Sequence, residues 1–148
     1  GVTYGTEQLA IKSHNTWAIT GHFHATVVGG TTLAFMGLTY YVIPLIFRRE
    51  LIGKKLAAIQ PYIFGIGMVL LILGMGAAGT LGSPRRHWDV TFAQSIIPFS
   101  LDPTVILFTT VAAIGGVIAV VGGAIFVLVA VFSVFFGRKM AANEAKLL

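Results

Sequence analysis

The sequence predicts an all-α protein, a polytopic bundle of three membrane-spanning helices. Composition is the first reason: 56% of the 148 residues are hydrophobic and 10% are charged, where a soluble domain carries roughly 25% charged residues. The second is distribution. Residues 21–47, 56–83 and 104–137 form three runs without a single Asp, Glu, Lys or Arg, and each is long enough as a helix to cross a hydrocarbon core of about 30 Å. The third is backbone chemistry, because an isolated strand cannot satisfy its amides in lipid and a helix can. A soluble enzyme and a disordered chain are both excluded. Cysteine is absent, which rules out disulfides and thiolate metal sites. The net charge is +5. In so apolar a chain that excess reports loop topology rather than nucleic-acid binding.

Residues 1–17 are mixed and polar, with Glu7, Lys12, His14 and Asn15. The first span is expected over about 17–47, and residues 25–47 alone make a helix of about 35 Å. A loop follows with Arg48, Arg49, Glu50, Lys54 and Lys55. The second span is expected over about 56–83, with Pro61 near its start, where a helix tolerates proline best. Pro84-Arg85-Arg86-His87-Trp88-Asp89 opens the second loop, which runs to Pro103. The third span, about 104–137, would be about 51 Å long. It must tilt or project from the bilayer. Residues 138–148 form a mixed tail. The chain begins on Gly1, with no basic-then-apolar signal segment, so it is expected to be processed or to belong to something longer. It reads as one unit, 1–148, without internal repeats.

Three spans put the two loops on opposite sides. Arg48, Arg49, Lys54, Lys55, Arg138, Lys139 and Lys146 share one side, and Lys12, Arg85 and Arg86 the other. The basic excess predicts that the first loop and the C-terminus are cytoplasmic. Glycines at 29–30, 65, 67, 74, 115–116 and 122–123 predict close helix packing, because small residues let backbones approach.

Gly21-His22-Phe23-His24, at the outer end of the first span, carries the most chemistry. On a strand, two such histidines share a face and suit one zinc. On a helix they stand about 200° apart, so each addresses its own partner. Two haems, each taking one axial imidazole, are a natural pair of partners, with Phe23 between them. The plainer reading is a pair of interfacial histidines bonded to carbonyls or water. Arg85 and Arg86 run against the charge bias of their side. Guanidinium groups pair bidentately with carboxylates, and haem propionates are carboxylates. The plainer reading is a solvated basic loop. His14 and Asn15 suit Mg²⁺ or ordered water above the cofactors, or simply a polar loop.

Together these motifs resemble the catalytic subunit I of the haem-copper oxygen reductases, the terminal oxidases of respiration. The resemblance runs through His14-Asn15-Thr16-Trp17, Gly21-His22-Phe23-His24 and Pro84-Arg85-Arg86 with Asp89. It covers nearly the whole chain, and Gly21 and Asn15 look more like the B-type branch. It implies that the three spans are the last of about a dozen. It implies that His22 is the proximal, catalytic ligand of the high-spin haem iron and that His24 is one axial ligand of the low-spin haem iron. Phe23 would lie between the haems, Arg85 and Arg86 would hold propionates, and His14 would stand near a Mg or water site. Copper would sit at the binuclear centre on ligands from another segment or chain. The implied partners are the remaining part of subunit I, subunit II, a cytochrome c-like or quinol donor, oxygen and membrane lipids. The implied location is a prokaryotic plasma membrane or an equivalent respiratory membrane. Oxygen would be reduced to water with proton translocation. Two other readings remain at this point, a nitric oxide reductase-like subunit and a non-catalytic structural membrane subunit.

Overall fold

The structure is a computed structural model describing residues 2–86 and 102–141. Its helices are α1 (Val2–Gly5), α2 (Glu7–Ser13), α3 (Trp17–Phe23), a π-helical segment (His24–Thr32), α4 (Leu33–Phe47), α5 (Lys54–Thr80) and α6 (Pro103–Phe136). The α3, π and α4 pieces run on without a break as one helix, Trp17–Phe47. With α5 and α6 it gives three helices long and apolar enough to cross a membrane. Among the described residues there is no strand, only two isolated β-bridges.

Close approach of α5 and α6 organises the bundle. Gly67 and Gly74 face the backbone of α6, while Gly115 and Gly122 face that of α5. A methyl on Gly74 would lie 2.6 Å from the Ala112 nitrogen, and one on Gly122 2.7 Å from the Phe64 nitrogen. No side chain fits there, so the two backbones pack directly. Lipid gives helices no hydrophobic reason to associate, and this close contact supplies dispersion instead. The expected packing role therefore holds for these four glycines. It does not extend to Gly65 and Gly123, which meet nothing within 4 Å. The first span joins at its N-terminal end, where Gly79 of α5 lies against the Ala18 backbone and Gly21 lies against Gly76.

Deeper in the bundle, one amide connects all three spans. Gln60 is fully buried. Its Nε2 donates to the Gly122 carbonyl on α6 at 3.0 Å and to Met36 Sδ on α4 at 3.4 Å. Its Oε1 accepts from Tyr40 Oη at 3.1 Å. A buried amide in an apolar bundle must find such partners, or it would forfeit hydrogen bonds that water gave it.

Two details differ from expectation. α5 begins at Lys54 rather than near residue 56, because a charged residue in a first helical turn can still reach the interface. Pro61 therefore lies about two turns inside the helix, further from its start than expected. The first span is not α-helical throughout. From His24 to Thr32 it winds more widely, and the Thr31 and Thr32 hydroxyls donate five residues back, to the Thr26 and Val27 carbonyls at 3.2 Å each. Gly29 and Gly30 sit within this wider winding.

The basic loop and the start of the tail meet at one end. Glu50 N donates to the Arg138 carbonyl at 3.0 Å, Met140 N to the Arg48 carbonyl at 2.8 Å, and Arg49 pairs with Lys139 in a β-bridge. Lys146 lies outside the described residues.

Candidate functional site

At the opposite end, the segment before the first span is tied to the loop after α5. Trp17 N donates to the Ser83 carbonyl at 3.1 Å and Arg85 N to the Asn15 carbonyl at 2.6 Å, and Thr16 bridges Pro84. Asn15 and Arg86 both take left-handed backbone, with φ 59° and 68°. Asparagine adopts that conformation more readily than most residues. Motifs seventy residues apart in sequence thus become neighbours. His14-Asn15-Thr16 and Pro84-Arg85-Arg86 form one polar cap on the N-terminal end of the first span.

His22 and His24 follow one to two helical turns below Trp17, or roughly 8–11 Å along the axis. His22 ends the α-helical part and His24 opens the π segment. Two residues apart in either winding, they leave the helix at roughly 160–200° to one another. Their partners differ accordingly. The His22 ring lies against Tyr4 of α1, with centroids 5.3 Å apart. The His24 ring meets Phe23 edge-on at 5.7 Å, and its Nδ1 stands 2.8 Å from the Thr20 carbonyl. A carbonyl only accepts, so Nδ1 carries the proton and Nε2 keeps its lone pair. That is the tautomer an Nε2 ligand to iron or zinc requires.

Both imidazoles are half-buried, and Phe23 between them is 53% exposed. Among the described residues no group of three His, Cys, Asp or Glu could hold a metal ion. Because the two rings leave the helix on opposite sides, they address separate partners rather than one.

Two buried polar atoms at this end of the bundle are unsatisfied, one in the cap and one in α3. Arg85 Nε and Thr20 Oγ1 are buried without a hydrogen-bond partner among the described residues. Leaving such atoms bare costs about 1–3 kcal/mol each. Thr20 stands one turn above His24 on the same helix face. A carboxylate is the chemistry that best satisfies a buried guanidinium nitrogen. Arg86 is exposed, as is His14. Asp89, which the sequence reading joined to this cluster, lies outside the described residues.

Sequence reasoning missed the Tyr4 contact and the Gln60 network. Nothing in the residue order of α1 signals the first. The second had a signal, since Gln60 is the one amide side chain in the 56–83 run.

Comparison with known proteins finds relatives along most of the chain. Residues 1–118 match the family described as Cytochrome C and Quinol oxidase polypeptide I. The chain is 27% identical over 148 residues to cytochrome c oxidase subunit 1 of Thermus thermophilus, covering 99% of this chain and 25% of that protein. It is 28% identical over 145 residues to cytochrome c oxidase subunit 1 of Synechocystis, covering 97% of this chain and 24% of that protein. Among solved structures, a haem-copper terminal oxidase dimer seen by cryo-electron microscopy matches with a TM-score of 0.81 and 28% identity, over 99% of this chain and 25% of the other. The chain thus spans about a quarter of the length of the relatives it matches.

Proposed function

Because the chain belongs to the cytochrome c and quinol oxidase polypeptide I family, we propose that it is the haem-ligating C-terminal part of the catalytic subunit of a respiratory terminal oxidase. The observation that carries this reading is the opposed pair His22 and His24, set below a buried guanidinium nitrogen with no partner among the described residues. Two haems, with copper held by residues of another segment or chain, would supply electron transfer and the reduction of oxygen to water.

The chain's own residues bind and tune. His24, oriented by Thr20, would offer Nε2 to the low-spin haem iron. His22, on the other side of the helix, would offer its imidazole to the high-spin haem iron as the catalytic ligand. Phe23 would lie between the two cofactors. Arg85 and Arg86 would set positive charge against propionates, raising the haem potentials by offsetting the extra negative charge of the reduced state. His14 and Asn15 would hold ordered water or Mg²⁺.

The three spans would form the last part of a larger subunit I bundle. The remaining part of subunit I would supply the second low-spin axial ligand and the copper ligands. Subunit II and either a cytochrome c-like protein or a quinol would deliver electrons. The location that fits is a prokaryotic plasma membrane or an equivalent respiratory membrane, with the basic loop and the C-terminus cytoplasmic and protons translocated outward.

Separate replacements in the assembled complex test this reading. His24→Ala should abolish the low-spin haem absorption and leave haem at the other site. His22→Ala should disturb the oxygen-reactive, high-spin species. Both haem spectra unchanged in the two variants would refute the ligand assignment.

A further inference from the structure

His22 and His24 are steadied in different ways, and the difference originates in the segment before the first span. His24 Nδ1 stands 2.8 Å from the Thr20 carbonyl of its own helix. His22 is met by a ring from outside its helix, that of Tyr4, with centroids 5.3 Å apart and planes inclined by 46°. That separation falls in the roughly 4.5–7 Å range in which tilted aromatic pairs attract.

Tyr4 reaches His22 because the chain doubles back before it enters the bundle. α1 and α2 pack on each other. Thr6 joins them in extended backbone, and its carbonyl accepts from Ala10 N at 2.8 Å. At the far end of α2, His14 N donates to the Ala10 carbonyl at 2.9 Å and Thr16 Oγ1 to the Ser13 carbonyl at 2.6 Å. The left-handed turn at Asn15 then leads into α3, whose first amide is bonded to Ser83. Tyr4 also borders a cavity of 190 Å³ with Leu9, Lys12 and Ser13 of α2 and with Gly79 and Thr80 of α5. α1 is thus seated against α2, α3 and the end of α5.

The quantity this seating controls is the torsion of the His22 ring. Rotation about the Cβ–Cγ bond of a histidine is broad and roughly two-fold. A ring left to turn offers its lone pair over a spread of planes, and a ring packed on one face offers it in one. An aromatic pair favours its packed arrangement by roughly two- to twelvefold. Taking His22 as the ligand of the high-spin haem iron, on which this rests, we propose that Tyr4 is its positioning residue. The Tyr4 ring sets the plane in which the imidazole is presented. It acts through His22 and by packing, and its hydroxyl takes no part.

Resonance Raman spectra of the reduced, assembled complex test this through the iron–imidazole stretching band of the high-spin haem. His22→Ala should remove that band, which fixes its origin. Tyr4→Ala should broaden it and shift its maximum, as the imidazole samples more than one plane. Tyr4→Phe keeps the ring and should match the wild type. Leu9→Ala alters the same cavity without touching the ring pair and should also match it. Full low-spin haem absorption reports that a variant is assembled. If Tyr4→Ala does not assemble, Tyr4→Leu, which keeps apolar volume without an aromatic face, decides by the same shift. An unmoved band in the ringless variant, or an equal shift in Tyr4→Phe or Leu9→Ala, would overturn the positioning role and leave ligation by His22 standing. Survival of the band in His22→Ala would overturn the ligand assignment and the role of Tyr4 with it.

Discussion

The packing of α5 on α6 makes a sharp prediction for Gly122→Ala. The added methyl would lie 2.7 Å from the Phe64 nitrogen, 2.8 Å from its Cα and 2.9 Å from its Cβ. Carbon contacts are comfortable at about 3.5–4.0 Å, and two of the three opposing atoms are backbone, which no rotamer change can move. The helices must therefore part locally by about 1 Å. The same residue's carbonyl accepts from Gln60 Nε2 at 3.0 Å, and an added ångström takes that contact beyond hydrogen-bonding range. Overpacking costs about 1–3 kcal/mol, and an interhelical hydrogen bond in a membrane protein adds about 0.6 kcal/mol. The expected loss is about 2–4 kcal/mol, read from reversible unfolding of the assembled complex in mixed micelles. Gly123→Ala is the matched control, because Gly123 meets nothing within 4 Å. There the substitution should be neutral, or stabilising by up to about 1 kcal/mol through helix propensity. A Gly122→Ala variant within about 0.5 kcal/mol of Gly123→Ala would show that the backbone contact does not hold these helices together.

Gln60→Leu should destabilise by about 1–2 kcal/mol, because it leaves the Tyr40 hydroxyl without its partner and removes the bond to the Gly122 carbonyl. The same unfolding measurement checks it, and Tyr40→Phe in the Gln60→Leu background should then cost almost nothing further. Arg85→Lys keeps the charge but removes Nε, so the haem midpoint potentials should fall by on the order of tens of millivolts. Spectroelectrochemistry of the complex reads this, and unmoved potentials would mean that Nε serves no cofactor. Hydrogen bonds and charge from Lys54 and Arg138 hold the Glu50 carboxyl below the usual carboxylate range. A lowered native value means that the junction of the basic loop with the tail is fully supported at and above ordinary carboxylate pKa values and loses that support as pH falls through the lowered one. Protection of the Glu50 and Met140 amides against hydrogen exchange, corrected for intrinsic rates, should decline over that acid window in the wild type. Glu50→Gln should show lower protection that is flat with pH.

The three spans were legible because lipid imposes a coarse rule. A charge-free run such as 104–137 has few ways to satisfy its backbone, and it appears as one helix, Pro103–Phe136. The divergence of His22 and His24 was legible for a similar reason, since two residues on any helix cannot share a side. Grouping His14 with Arg85 followed from counting spans, although the bonds that accomplish it, Asn15 to Arg85 and Trp17 to Ser83, depend on two left-handed residues that residue order alone does not announce. Other features needed three dimensions. Whether a glycine packs or faces outward depends on azimuth, and Gly122 and Gly123 are identical neighbours with opposite surroundings. Gln60 could be noticed in sequence, but its three partners lie 20 to 62 residues away. The wide winding after His24 arises from which carbonyl each amide chooses, a choice of small energy that no periodicity in His24–Thr32 records.

That wide winding has a consequence for how the chain tolerates changes of length. Deleting a residue from a regular helix rotates everything beyond it by about 100° and withdraws it by about 1.5 Å. In α5 or α6 that would tear the glycine contacts out of register. The π segment holds slack instead, because each turn closed five residues back accommodates about one residue more than an α turn. Its two ends are fastened independently, Ala18 against Gly79 above and Met36 against Gln60 below. Loss of one residue between His24 and Thr32 can therefore be absorbed by rewinding toward α geometry while both fastenings stay where they are. Of the three spans, the one that carries the histidines is thus the one in which a single-residue deletion is least ruinous.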